Sequence, residues 1–131
     1  ATLADTSACA QANTDWCAVH GGVRGRRRDA YWYASRRTAE FHPDAITLHP
    51  VVDIEDMLGR IDRSPGASIK DSFATLALSP HGFEVLLEGD WYRGDFGPKG
   101  PTDWFTKAAT PAHAVLIAPM RVWHRPQNAS L

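Results

Sequence analysis

The sequence has few cysteines and no long apolar run, and each shortage excludes a class of protein. Only Cys9 and Cys17 are present, so the chain is not a small secreted domain that depends on several disulfides. The longest strongly apolar stretch, Ala112–Met120, is about half of the roughly 20 residues that cross a bilayer, which predicts no membrane contact.

The opening residues, Ala-Thr-Leu-Ala-Asp, contain neither the basic nor the apolar part of a signal peptide. A cytoplasmic location is favoured, and a secreted chain whose signal has been removed is the alternative. The sequence also lacks a glycine-rich phosphate loop, a His-Glu-x-x-His zinc motif and a Gly-x-Ser-x-Gly elbow. Motifs therefore indicate no particular reaction.

The net charge of −1 over 131 residues excludes a strongly basic nucleic-acid-binding protein. The charges are nevertheless separated along the chain. Residues 21–40 contain six arginines and two acids, a local charge of +4, and residues 41–60 contain four acids and one arginine, a local charge of −3. A local basic surface is therefore compatible with the near-neutral total.

The pattern of apolar residues predicts an α+β fold with a mainly antiparallel sheet of about five strands. One well-formed helix is expected over about 53–63, because Asp53 suits the N-cap and Ile54, Met57, Leu58 and Ile61 share one helical face. Residues 1–29 show no sustained period and are expected to be an irregular arm or lid. A single domain is expected over 30–126, followed by a C-terminal tail over 127–131.

Cys9, Cys17 and His20 are residues of the types that bind zinc, which makes zinc a candidate cofactor. A fourth ligand could come from Asp15, His42 or His49. A Cys9–Cys17 disulfide and two unbridged thiols are the alternatives, since seven residues between the cysteines is not a standard zinc-knuckle spacing. Cys17 with His20 could also form a nucleophile pair, although such partners usually come from separate elements.

Two groups of arginines flank an aromatic run over residues 24–37. The candidate binding residues there are Arg24, Arg26, Arg27, Arg28, Arg36 and Arg37, around the aromatic run Tyr31–Tyr33. Arginines and stackable rings together favour contact with a polyanion or nucleic acid. Alternatively, the arginines pair with the acidic residues that follow, and the rings belong to a half-buried strand.

The segment Glu88–Phe105 is rich in both aromatic residues and glycine, which is typical of a binding loop. Its candidate contact residues are Trp91, Tyr92, Arg93, Phe96 and Trp104. The alternative is a satellite core under a long connection.

Histidines and carboxylates supply the remaining candidates for chemistry. His42, Asp44, His81 and His113 are candidate acid–base residues, and each histidine is more often structural than catalytic. The sequence thus favours a non-enzymatic binding or assembly protein with a protein partner or self-association. It leaves a small hydrolase, for example a nuclease with arginine phosphate clamps, as the alternative.

Overall fold

One six-stranded sheet organises the chain, with a helix on each face. A computed structural model describes residues 3–94 and 114–127, with side chains over 3–92 and 118–127. The elements in chain order are α1 (Leu3–His20), β1 (Arg26–Arg27), β2 (Tyr31–Tyr33), β3 (Ala45–Thr47), α2 (Ile54–Leu58), β4 (Ser68–Asp71), a 3₁₀ helix (Ser79–His81), β5 (Glu84–Gly94) and β6 (Ala114–His124). The prediction of an α+β fold with a mainly antiparallel sheet is confirmed.

The strand order is β1-β2-β3-β4-β6-β5, and β3 and β4 form the one parallel pair within it. The connection from β3 to β4 passes through α2, as a parallel pair requires. The other four pairs are antiparallel. β1 and β5 are consequently the two outer strands of the sheet, and they run in the same direction.

Helix α1 occupies most of the segment that the sequence predicts to be irregular. It has no proline or glycine and is rich in alanine, the residue with the highest helix propensity. Its buried positions are Thr6, Ala10, Thr14 and Cys17, spaced as on one helical face. Because these side chains are small or carry hydroxyls, the buried face is hardly more hydrophobic than the exposed face. The prediction of an irregular segment over 1–29 is therefore wrong for Leu3–His20.

Helix α2 begins as predicted and ends early. The Asp53 side chain accepts a hydrogen bond from the Asp56 amide at 3.1 Å, which confirms the N-cap. The helix ends at Leu58 and not near residue 63, with Gly59 as its C-cap. Ile61 is still buried in the core, so its apolar character reflects packing beyond the helix.

Two hydrophobic clusters hold the layers together, one on each face of the sheet. On the α2 face the cluster includes Tyr33, Ile69, Phe83 and Trp123 with Met57. On the α1 face Ala10 and Cys17 pack with residues of β2, β3 and their flanks, namely Trp32, Ala34, Ile46 and Leu48. Both faces of the central strands are thereby covered.

Gly25 allows β1 to lie close to the buried ring of Trp32. A Cβ atom at position 25 would overlap that ring, which is 3% exposed and has no room to move. We expect Gly25→Ala to lower the free energy of unfolding by about 1–3 kcal/mol. Chemical denaturation would measure the loss, with Gly89→Ala as the control, because the nearest atom to a Cβ there is the flexible Met120 sulfur at 3.2 Å. Equal stabilities of the two variants would contradict this.

Candidate binding surface

Three of the six clustered arginines pair with acids of the same chain. Arg27 contacts Asp15 of α1 at 2.8 Å. Arg28 lies 3.9 Å from Asp56, and Arg37 lies 3.7 Å from Asp44 and from Asp62. Arg37 also donates to Ser64 and to the Pro65 carbonyl. The pairing of arginines with the acidic stretch is therefore found for Arg28 and Arg37.

Arg24, Arg26 and Arg36 are exposed and have no acid partner among the described residues. Arg26 lies opposite Tyr33 in the β1–β2 pair, which places it on the α2 face of the sheet. Arg24 precedes β1 and Arg36 follows β2, so both lie beyond the same end of this pair as Arg26. These three side chains are the arginines that remain for a ligand.

The aromatic run beside the arginines belongs to the core. Tyr31, Trp32 and Tyr33 are 3%, 3% and 8% exposed, so their rings are not accessible for stacking on nucleic-acid bases. The Tyr31 hydroxyl donates to Asp56, which also binds Arg60 at 3.2 Å. Donation by Tyr31, followed by the contact with Arg60, lowers the pKa of Asp56, whereas burial raises the pKa of Tyr31.

Phe41 is the most exposed large apolar residue of the described chain, with 95% of its surface accessible. It lies in a tight turn in which the His42 amide donates to the Ala39 carbonyl at 3.0 Å. Its φ of 69° falls in the left-handed region, which a residue with a side chain rarely adopts. The turn thus places a large ring in water in a strained backbone conformation.

Asp44 fixes this turn from inside the protein. Its carboxylate is 1% exposed and accepts hydrogen bonds from the amides of Thr38 and Ser68, each at 3.0 Å. Thr38 in turn donates its hydroxyl to the His42 carbonyl at 2.7 Å. The carboxylate of Asp44, one of the candidate acid–base residues, is thus directed to Thr38, Ser68 and Arg37.

The C-terminal end of α1 lies against the Phe41 turn. The Ala39 amide donates to the Gly21 carbonyl at 2.7 Å, just beyond the last residue of the helix. Trp16 and Val19, one helical turn before this contact, are 58% and 76% exposed. The ring of Trp16 lies 4.0 Å from that of His20. We name five of the exposed residues that lie within five positions of the Gly21–Ala39 contact the Phe41 corner and define it as Trp16, Val19, Arg24, Arg36 and Phe41.

The candidate zinc ligands do not come together. Cys9, Cys17 and His20 all belong to α1, where a rise of about 1.5 Å per residue separates the two cysteines by about 12 Å. No group of three histidine, cysteine, aspartate or glutamate side chains in the described part of the chain could hold a metal ion. The same separation exceeds the reach of a disulfide, and both residues are thiols. The zinc site is therefore unsupported, and of the two alternatives the structure has the unbridged thiols, because both cysteines lie on one helix.

Cys17 is expected to react more slowly than Cys9. Cys17 is 3% exposed, and burial raises the pKa of its thiol, whereas Cys9 is only half-buried. We expect alkylation of Cys9 to be at least about tenfold faster in the native protein, since the thiolate is the reactive form. Peptide mapping after timed alkylation would measure both rates, and equal rates should appear in denaturant. Equal rates in the native protein would contradict the prediction.

Lys70 of β4 faces α1, although no sequence motif marks it. Its ammonium donates to the Asn13 side chain at 2.8 Å and lies 5.5 Å from the centre of the Trp91 ring. Burial lowers the pKa of this lysine, and nearby Cys17 partly offsets the effect. The alternation of β4 does not indicate this contact, because a lysine between Ile69 and Asp71 would ordinarily face water.

The aromatic segment predicted as a loop begins as a strand. Residues 88–94 belong to β5, where Trp91 lies opposite Ala118 and donates its indole N–H to the Ser72 carbonyl at 2.8 Å. Trp91 is therefore a packing residue, whereas Tyr92 is 45% exposed. The side chain of Arg93, together with Phe96, Trp104 and His113, lies outside the described residues.

His81, another candidate acid–base residue, lies in the 3₁₀ helix 3.8 Å from Glu55, a carboxylate that is 78% exposed. An exposed pair at this distance is typical of a surface contact.

Comparisons with family models, with curated proteins and with solved structures found no match to this chain. Across residues 3–94 and 114–127, no helix has both the length and the apolar character to span a membrane.

Proposed function

We propose that the chain is a non-enzymatic binding module that holds an acidic and apolar protein segment at the Phe41 corner. The observation that carries the proposal is the exposed ring of Phe41, held at positive φ by a turn that buried Asp44 fixes. Backbone strain of this kind costs about 1–3 kcal/mol and concentrates at functional sites. A partner that covered the ring would offset part of this cost.

The composition of the corner supports a protein partner. Aromatic residues and arginine are the side chains that most often dominate binding energy at protein interfaces. Phe41, Trp16 and Val19 supply exposed apolar surface, and Arg24 and Arg36 supply charges with no described partner. These two arginines outnumber Glu40, the acid of the turn, so an acidic partner is favoured.

The predicted second contact surface, the aromatic segment Glu88–Phe105, stays a prediction. Tyr92 is the accessible candidate within its described part. The hydrolase alternative receives no support from the described residues, because the Asp44 carboxylate already binds two amides and the Thr38 hydroxyl. A catalytic acid or base needs a free atom within reach of a substrate.

Selection from a random peptide display library on the immobilised chain would test the proposal. We expect enriched peptides to combine Asp or Glu with large apolar residues, and their affinity to fall with increasing salt. Arg36→Glu should weaken such a peptide at least about tenfold. A single-stranded oligonucleotide, assayed in parallel, should bind more weakly than the peptides. Peptides that bind a Phe41→Gly, Arg36→Glu double variant equally well, or preferential oligonucleotide binding, would overturn the proposal.

A further inference from the structure

The two outer strands of the sheet have complementary features. Within the described part of the chain, β1 and β5 have no strand partner on their outer sides. An unpaired edge exposes backbone N–H and C=O groups that another strand can bind. Because β1 and β5 run in the same direction, a second copy displaced across the sheet would place its β1 parallel to β5.

β5 exposes several apolar side chains at the edge of the sheet. It is 11 residues long and contains no lysine or proline, two of the residues that protect an edge, although its pairing with β6 is irregular between Val85 and Leu87 and between Trp91 and Tyr92. Val85, Leu86 and Leu87 are 41%, 55% and 48% exposed. An added strand would cover part of this surface.

Two of the three acids of β5, Glu88 and Asp90, lie on the α2 face of the sheet. Glu88 is opposite Arg121, which it binds at 3.2 Å, and Arg121 is opposite Asp71 on β4. Asp71 is two residues beyond Ile69, a member of the core cluster on the α2 face. Asp90 follows Glu88 by two residues and shares its face.

Two arginines of the β1 edge, Arg26 and Arg28, lie on the same face, whereas Arg27 lies on the α1 face and binds Asp15. Arg26 is opposite Tyr33, whose ring belongs to the α2-face cluster. Arg28 reaches Asp56 at the start of α2. One residue separates Arg26 from Arg28, and one residue likewise separates Glu88 from Asp90.

Pairing two β5 strands with each other would oppose like charges. With matching faces, one antiparallel register puts Glu88 opposite Asp90, and the neighbouring register puts Glu88 opposite its own copy. Like charges directly opposite each other destabilise a strand pair. A closed dimer through β5 is therefore disfavoured in these two registers.

We infer that the chain assembles head to tail, with β1 of one copy adding to β5 of the next. Arg26 then lies beside Glu88, and Arg28 lies beside Asp90. This contact joins two different edges, so each added copy presents a new β5 edge and the assembly stays open-ended. The inference is independent of the Phe41 corner.

Two charge reversals test the contact, one on each edge. Arg26→Glu blocks the basic edge, and Asp90→Arg blocks the acidic edge; neither side chain has a partner among the described residues. We expect the wild-type mass in sedimentation equilibrium to rise with concentration beyond a dimer and to fall in high salt. Each variant alone should associate at least about tenfold more weakly.

Mixing the two variants is the decisive arm, because the mixture keeps one intact acidic edge and one intact basic edge. We expect a 1:1 heterodimer that does not grow further. Ala77→Glu and Ala77→Arg, at an exposed position outside both edge strands, are the matched controls and should assemble like wild type. Unchanged Tm values would establish that all variants fold. A wild type that stays monomeric at millimolar concentration, or a mixture that stays monomeric, would overturn the inference.

Discussion

Replacing Asp44 with alanine is expected to lower the free energy of unfolding by about 3–5 kcal/mol, the loss typical of breaking a buried ion pair on one side. The carboxylate accepts two backbone amides and lies 3.7 Å from Arg37. Without it, the Thr38 and Ser68 amides lose their acceptor, and each unsatisfied buried donor costs about 1–3 kcal/mol. Denaturant unfolding followed by circular dichroism would measure the effect.

Two further variants define the origin of this loss. Asp44→Asn keeps a side-chain oxygen and should retain part of the stability, because one amide donor is still satisfied. Asp15→Ala breaks an exposed pair with Arg27 and should cost at most about 1 kcal/mol. If Asp44→Ala were no less stable than Asp15→Ala, Asp44 would not fix the turn that carries Phe41.

Phe41→Gly is expected to separate binding from stability. Glycine adopts positive φ without strain, so the free energy of unfolding should stay unchanged or rise by about 1 kcal/mol. Loss of an anchoring ring should weaken a selected peptide about thirtyfold or more, the effect of losing about 2 kcal/mol at an interface hot spot. Fluorescence anisotropy would give the affinity, and denaturant unfolding would give the stability.

Val51→Gly is the matched control for this experiment. Val51 is 75% exposed and lies outside the Phe41 corner, so its removal should leave peptide affinity unchanged. A Phe41→Gly variant that bound the peptide as well as Val51→Gly did would remove the main support for the proposed surface. A large loss of stability in Phe41→Gly would show instead that the ring contributes to folding.

The fold class follows from the sequence because β2, β3, β5 and β6 carry apolar or alternating patterns, whereas β1, β4 and α1 do not. The buried face of α1 includes Thr6 and Thr14. The Thr14 hydroxyl donates a hydrogen bond to the Ala10 carbonyl at 2.7 Å, so it can be buried within the helix. A hydrophobicity pattern cannot identify such a face. The zinc hypothesis for Cys9, Cys17 and His20 follows from this one omission.

The pairing of the charged blocks was predictable only in part. Arg28 and Arg37 bind acids that follow them in sequence, as the adjacent charge blocks suggested. Arg27 binds Asp15 on α1, a contact that depends on the unpredicted helix. The run Tyr31–Tyr33 is wholly buried because layers cover both faces of β2, whereas alternation alone predicts one wet face.

The exposure of Phe41 could not be predicted from local sequence. Its turn depends on a buried carboxylate three residues later and on an amide donated by Ser68, 24 residues beyond Asp44. Nothing in the residues around Phe41 indicates positive φ, since glycine or asparagine would be the usual choice there. Lys70 was missed for a related reason, because its covering residue Asn13 comes from α1.

The most direct test of the proposed surface is to map the binding site of a selected peptide by amide chemical shifts. We expect the peptide to perturb amides in residues 16–24 and 35–42, around the Phe41 corner. In Phe41→Gly the same peptide should leave these amide shifts unchanged. Perturbations centred instead on β5, or a response that persists unchanged in Phe41→Gly, would contradict the proposal.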